Sequence, residues 1–259
     1  MTFEGRGISV TLGRHTILSD VDFTARAGDV TAIVGPNGSG KTTLLRALCA
    51  EVPYTGRVQV NGRDLTAHGG ADLASIRAVL PQSVTLAFPF TVAEVVHLGQ
   101  AARSARPSAD LPRRALAAVG LAGYGARLYQ ELSGGEQQRV QLARVMLQVW
   151  EPLTDGAPRW LLLDEPVASL DIGHQLMVMR LARDYAMRGG GVVSVMHDLN
   201  LTAMFANHVV LMRHGRVTAA GPVSEIFNDA TLSAAYGPAL RVNSAPPDGN
   251  FFVLPHSAA

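Results

Sequence analysis

The sequence predicts an α/β fold with a mainly parallel core sheet, a strand-rich part near the N-terminus and a smaller helical lobe. Three features point to it. The glycine-rich run Gly35-Pro36-Asn37-Gly38-Ser39-Gly40-Lys41-Thr42 stands between a strand-like and a helix-like segment. From Ser133 onward, continuous apolar runs alternate with helical spacing, the pattern of parallel strands covered on both faces. Before the glycine-rich run, strand-type patterns dominate.

In chain order, Ile17-Leu18-Ser19-Asp20-Val21-Asp22-Phe23 nearly alternates apolar with polar, as a half-buried strand does. Asp29-Val30-Thr31-Ala32-Ile33-Val34 reads as a short buried strand, and Thr43-Leu44-Leu45-Arg46-Ala47-Leu48 as the helix behind the loop. Arg57-Val58-Gln59-Val60, followed by Asn61-Gly62, reads as strand and turn. Between residues 71 and 129, helical patterns broken by Pro81, Pro89, Pro107 and Pro112 predict the smaller lobe. A helix through Val140, Ala143 and Leu147 follows, then a strand at 160–163, a helix at 172–187 and a strand at 191–196. A short helix and a strand at 209–212 come next. The tail from Pro246 is rich in Pro and Gly, with Phe251-Phe252-Val253-Leu254 as a last edge strand or docked segment. The expected organisation is one domain over 1–259: a core at about 1–80 and 130–245, a helical lobe at 81–129 and a tail at 246–259.

Charge and cysteine usage narrow the function classes. Lys plus Arg (22) nearly balance Asp plus Glu (21), which argues against a broad nucleic-acid footprint. Arg103, Arg106, Arg113 and Arg114 form the one basic concentration, without interleaved aromatics, and read as a solvated helix face. Cys49 is the sole cysteine, so no internal disulfide exists and a reducing compartment fits. It is expected to pack as a small apolar residue behind the glycine-rich run. No secretory pattern opens the chain, and no apolar run approaches the ~18–20 residues of a spanning helix. A soluble protein that meets a membrane only through a partner is expected.

The phosphate-loop pattern carries specific chemistry. Its glycines let successive N–H groups point at a phosphate, and the following helix N-terminus adds partial positive charge. Lys41 is expected to reach the β- and γ-phosphates, and the Thr42 hydroxyl to ligate Mg²⁺. Leu161-Leu162-Leu163-Asp164-Glu165 puts two carboxylates at the C-terminal end of a buried strand, where ligands of open α/β sheets sit. Adjacent acids there could simply cap the next helix. Beside a phosphate loop, Asp164 is expected to hold Mg²⁺ with Thr42, and Glu165 to accept a proton from the attacking water or orient it. Leu132-Ser133-Gly134-Gly135-Glu136 opens a helix with a capping-box pattern, and a capped N-terminus preceded by glycines is also an anion site.

Taken together, these segments resemble the ATP-binding-cassette (ABC) ATPases over essentially the whole chain. Leu132-Ser133-Gly134-Gly135-Glu136-Gln137-Gln138-Arg139 is similar to that family's signature motif. Gln82 matches the glutamine of the lobe-joining loop, Ser169-Leu170-Asp171 the dimer-contact loop and His197 the switch histidine. The resemblance implies an ABC-type P-loop ATPase, with an antiparallel β part beside the parallel sheet. It implies a head-to-tail homodimer with two ATPs at its interface. Each ATP would lie against one subunit's Gly35, Pro36, Asn37, Gly38, Ser39, Gly40, Lys41, Thr42 and Thr43. The other subunit's Ser133, Gly134 and Gly135 would cap it, with Asp171 of the dimer-contact loop in the ATP-binding set. Glu165, His197 and Gln82 would be catalytic: His197 on the γ-phosphate, and Gln82 touching Mg²⁺ or the attacking water while sensing the transporter. Mg²⁺ would be held by Thr42, Gln82 and Asp164. The family commonly stacks an aromatic on adenine; here Leu12 falls in that slot, with His15 as another candidate.

Ala87-Phe88-Pro89-Phe90-Thr91-Val92-Ala93-Glu94 lies where cassettes accept a coupling helix of the membrane subunit, core packing being the competing reading of Phe88 and Phe90. Val79-Leu80-Pro81-Gln82, the Phe88 to Val92 run, the Pro-rich insertion at 150–160 and His197-Asp198-Leu199-Asn200 resemble the haemin-import ATPases. The insertion reads as a loop. Ferric-siderophore or cobalamin import is the alternative, and a soluble cassette acting on nucleic acid or ribosomes a weaker one. The resemblance implies two permease subunits, a periplasmic haemin-binding protein acting indirectly, and no nucleic acid. The subunit would sit peripherally on the cytoplasmic face of the inner membrane.

Overall fold

The computed structural model of the chain describes residues 1–84, 86–101, 108, 110–237, 240–245, 249, 251 and 253–255. Strands β1 (Thr2–Leu12) and β2 (His15–Arg26) form an antiparallel hairpin. β3 (Val30–Val34) then leads through the phosphate loop into helix α1 (Lys41–Leu48). β4 (Thr55–Val60) pairs antiparallel with β1 and with the short β5 (Arg63–Asp64), giving a four-stranded sheet in the order β2-β1-β4-β5.

The next segment holds α2 (Gly70–Ile76), β6 (Arg77–Leu80), α3 (Val92–Ala101), α4 (Leu111–Ala118) and α5 (Gly134–Gln148). Sequence pattern missed β6: four residues between a helix and Pro81 leave too little periodicity to read. Thr85, 102–107 and Arg103 and Arg106 with them lie outside the described residues. Arg113 and Arg114 are both exposed on α4, as a solvated face requires; Arg113 bonds Asp110 and the Arg114 guanidinium lies 5.4 Å from the centre of the Trp150 ring. The insertion expected as a loop is a tight hairpin, β7 (Leu153–Thr154) with β8 (Ala157–Pro158), whose Asp155-Gly156 turn has positive φ at both residues.

The rest alternates as expected: β9 (Trp160–Asp164), α6 (Ile172–Met187), β10 (Gly191–Val195), α7 (Leu199–Phe205) and β11 (His208–Arg213). β12 (Arg216–Pro222), α8 (Val223–Ile226) and α9 (Asp229–Tyr236) follow. The second sheet runs β12-β11-β3-β10-β9-β6; its neighbours are parallel except for the antiparallel edge pair β11–β12. Among the described residues 251, 253 and 254, the suggested last strand does not form; Phe251 and Val253 stand exposed.

Because β3, β9, β10 and β11 are buried on both sides, strict alternation divides them between two cores. Val30, Ala32, Leu161, Leu163, Val209 and Leu211 face a core completed by α3, α4, α5 and α6. Ile33, Leu162, Val193, Val195, Val210 and Met212 face the other, completed by α1 and the antiparallel sheet. Each fully buried aliphatic side chain contributes ~1.5–3 kcal/mol. Trp160 joins the layers: its ring meets Phe3 edge-on at 5.4 Å and its indole N–H donates to Asn61 at 3.0 Å.

Helix α3 approaches α5 closely at Gly99, where a Cβ would stand 2.1 Å from the Arg144 carbonyl oxygen. Gly99→Val should therefore force the two helices apart, at a cost of ~1–3 kcal/mol for an overpacked contact. In a domain of this size that lowers Tm by roughly 2–10 °C. Calorimetry giving an unchanged Tm would mean that α3 and α5 are not in contact there.

Candidate functional site

Register decides what meets at the sheet's C-terminal edge. Val195 pairs with Ile33 of β3 on one side and with Asp164 of β9 on the other. Two residues beyond Ile33 the phosphate loop begins; two beyond Val195 is His197; directly after Asp164 is Glu165. An open cleft of about 690 Å³ results, lined by Asn37, Gly38, Gly40, Lys41, Thr42, Thr43, Gln82, Glu165, His197 and Ile17. Thr42 and Gln82 also face an adjoining cavity of about 300 Å³ behind α1, where Asp164, which does not line the cleft itself, joins them.

The loop is built tightly. Gly35 has φ 149, and a Cβ there would lie 2.1 Å from the Met212 carbonyl oxygen, so only glycine fits beside β11. The Lys41 ammonium donates to the Gly35 and Pro36 carbonyls at 2.9 and 3.1 Å. Ser39 is buried and its hydroxyl has no hydrogen-bond partner, although its amide donates to Pro36 and its carbonyl accepts from Gly215. That hydroxyl lies on the Gly35 and β11 side of the loop rather than among the cleft-lining residues; the backbone N–H groups of a loop wound this way are what suits an anionic ligand. Cys49 packs behind the loop as expected, and burial pushes its thiol up to about 12.

Charges sit in the site under tension. Burial pushes Lys41 below the ordinary lysine range, opposed by the Glu165 and Asp164 carboxylates. Burial likewise pushes Asp164 up, opposed first by the hydrogen bond from the Thr42 hydroxyl to its Oδ1 at 3.1 Å. Thr42, Asp164 and Gln82 thus offer hydroxyl, carboxylate and amide oxygens toward one cavity, a donor set that suits a hard cation such as Mg²⁺.

Glu165 has φ 50, a left-handed conformation that costs ~1–3 kcal/mol in a residue with a side chain. Pro166 after it restricts its backbone further. The His197 ring nitrogen Nε2 lies 2.6 Å from its Oε1, and the Glu165 amide donates to the Val195 carbonyl at 3.2 Å. On the other side, its carbonyl accepts from the Ala168 amide at 3.2 Å and from the Gln138 side chain at 2.9 Å.

The remaining sequence candidates stand elsewhere. Ser133 caps α5 in a reciprocal capping box: its hydroxyl accepts from the Glu136 amide at 3.3 Å, and the Glu136 carboxylate accepts from the Ser133 amide at 2.8 Å. The Ser133 hydroxyl also donates to the Glu136 carboxylate at 2.7 Å, and that bond first, then the one from the Ser133 amide, holds the Glu136 carboxyl below its usual range. Ser133 and Gly134 are exposed, and neither they nor Gly135 line the phosphate-loop cleft. Asp171 caps α6 by accepting from the His174 amide at 2.9 Å and is also outside the cleft. Leu12 and His15 face each other at the mouth of the β1–β2 hairpin and do not line it either. The aliphatic wall is Ile17 instead, which alternation along β2 foreshadowed by burying its neighbour Leu18. Gln138 also escaped notice, because its contact with Glu165 spans 27 residues.

Comparison with known proteins agrees with this geometry. Residues 18–168 match the family described as ABC transporter. The chain is 60% identical to the "Hemin import ATP-binding protein HmuV" of Jannaschia sp. (strain CCS1), over 97% of this chain and 93% of that protein. It is 59% identical to the protein of the same name from Roseobacter denitrificans, over 100% and 99%. Among solved structures, an ATP binding subunit of an ABC transporter superposes with a TM-score of 0.77 at 23% identity, covering 92% of this chain and 96% of that one. A nucleotide-free ATP-binding cassette from an ABC transporter gives 0.73 at 22% identity, covering 91% and 95%. These two likenesses concern the fold. With the family matched over more than half its length, and with relatives this similar end to end, the chain belongs to the ABC transporter family as an ATP-binding subunit.

Proposed function

We propose that this chain is the ATP-hydrolysing motor of a membrane importer whose cargo is haemin. The observation that carries the catalytic half is the convergence of phosphate loop, Glu165 and His197 on one cleft, with His197 2.6 Å from the Glu165 carboxylate. The cargo follows from relatives at 53–60% identity over nearly their whole length, each named as a haemin-import ATP-binding protein.

In this proposal the loop amides, that of Ser39 among them, and Lys41 take the phosphates of ATP. Thr42, Gln82 and Asp164 would hold Mg²⁺, which when bound neutralises phosphate charge. Glu165 receives the proton of the attacking water, and His197 keeps its carboxylate turned into the cleft. Exposed Ser133 and Gly134, remote from the chain's own cleft, cap the ATP of a second copy in a head-to-tail dimer, with Asp171 at the contact. Phosphoryl transfer depends on positioning and charge stabilisation, so an uncapped half-site is slow.

In the homodimer, the two lobes at about 81–129 are proposed to receive two permease subunits, with a periplasmic binding protein acting from the far side. Phe88 is two-thirds exposed and lies edge-on to Phe90 at 6.2 Å, while Phe90 packs against the core. Among the described residues no helix is long and apolar enough to cross a membrane, which suits a subunit held at the cytoplasmic face by its permease.

Glu165→Gln keeps the shape of the side chain and removes the base. Turnover should fall by ~10²–10⁴, the usual worth of general-base catalysis, while ATP binding persists. Wild-type turnover in that variant would defeat the assignment. Reconstituted in vesicles with its permease and binding protein, the chain should drive ATP-dependent haemin uptake. Phe88→Asp should abolish that uptake with nucleotide affinity intact, since a charge placed in an apolar contact carries several kcal/mol of desolvation. Uptake of a siderophore or cobalamin with haemin ignored would overturn the cargo.

A further inference from the structure

Glu165 occupies a backbone conformation that its side chain disfavours, and the structure shows what holds it there. Its amide is fixed by β10 through Val195, and its carboxylate by His197. Its carbonyl takes two hydrogen bonds, one from the adjacent turn at Ala168 and one from Gln138, half-buried on α5. Only the last of these reaches across to the helix that Ser133 and Gly134 begin.

Gln138 is one helical turn beyond Gly134, so both lie on the same side of α5. Both line a cavity of about 180 Å³ between α5 and the lobe-joining loop, together with Gln82 and Ser169. Ser169 is itself left-handed, with φ 63, so the turn from Glu165 to Ser169 begins and ends in that conformation. A shift of α5 along its axis would draw the Gln138 amide away from the Glu165 carbonyl. With that bond lost, the Glu165 carbonyl is held by the Ala168 amide alone, and the backbone that carries the carboxylate is less firmly fixed in its left-handed conformation.

We propose that Gln138 is a positioning residue for Glu165: through it, docking of the α5 N-terminus on a second copy sets the orientation of the base in the same chain. Two successive turns of α5 then serve different ATPs. Its capped first turn faces the partner's nucleotide, and one turn later Gln138 steadies the base acting on the chain's own. Gln138 touches neither nucleotide nor water in this scheme. The proposal rests on Glu165 being the general base, as argued above.

The test uses the full chain assembled with its permease in vesicles. Gln138→Met keeps the length and loses the donor; Gln138→Glu keeps length and polarity and also loses the donor. Both should lower kcat about 10-fold, the rate equivalent of one hydrogen bond lost from the aligned state. KM for ATP and equilibrium nucleotide affinity should stay within about twofold, and Tm within about 2 °C. In a Glu165→Gln background, Gln138→Met should cost nothing further, because coupled residues are non-additive. Unchanged kcat in both variants would overturn the proposal, as would a loss carried by KM or by Tm, or a second full 10-fold loss on top of Glu165→Gln. Wild-type turnover in Glu165→Gln alone would instead defeat the underlying ATPase assignment.

Discussion

Parallel pairing of β3, β10 and β9 is the constraint on which the site depends. With Ile33, Val195 and Asp164 in line across three strands, the chain leaves the sheet at one level three times. The phosphate loop, His197 and Glu165 are those three exits. A two-residue slip of β9 against β10 would keep every side chain on its proper face and still carry Glu165 about 6–7 Å along the strand. The register is therefore guarded by more than hydrophobic pattern. Trp160, at the start of β9, is locked by Phe3 and by Asn61, so the far end of the strand anchors the position of the carboxylates.

The edge so formed is electrostatically strained in a way that favours a ligand. Burial drives Lys41 and Asp164 toward their neutral forms; the Glu165 and Asp164 carboxylates oppose this at Lys41, and the Thr42 hydrogen bond is the chief restraint at Asp164. Phosphate oxygens beside Lys41 and a cation beside Asp164 would reverse both effects. The same economy governs the backbone. The left-handed Glu165 is tolerable because four hydrogen bonds from three directions define it, and one of those directions is helix α5.

Much of this was legible in the sequence, for identifiable reasons. Helix α6 was read to its end residues because Asp171 supplies a cap and helical spacing fills the span. β3, β9, β10 and β11 announced themselves as apolar runs, and the phosphate loop and its following acids are local signals. What escaped was non-local or weakly patterned. β12 carries small residues such as Ala219, Ala220 and Gly221, which lack a strand signature. The β7–β8 hairpin is two residues a side, below any periodicity. Leu12, which falls in the family's aromatic slot by spacing, stands exposed at the hairpin mouth, and the cleft wall that spacing did not announce is Ile17. Gln138 was legible as part of the signature-like run, but its partner was not: only the packing of α5 against the end of β9 brings it to Glu165.

The central claim is that each chain holds half of two sites, and mixing defective chains tests it most directly. A Lys41→Ala chain lacks the phosphate-binding half, and a Ser133→Arg chain lacks the capping half. Each alone should be nearly inactive as a homodimer. In a mixed dimer, one site combines both lesions, while the other joins the intact loop of one chain to the intact cap of the other. Equimolar mixing of the two purified variants, assembled with the permease, should restore ATP turnover to roughly a quarter of wild type, since random pairing makes about half the dimers mixed and each carries one of two sites. No recovery above either variant alone, with mixed dimers demonstrably present, would contradict the shared site.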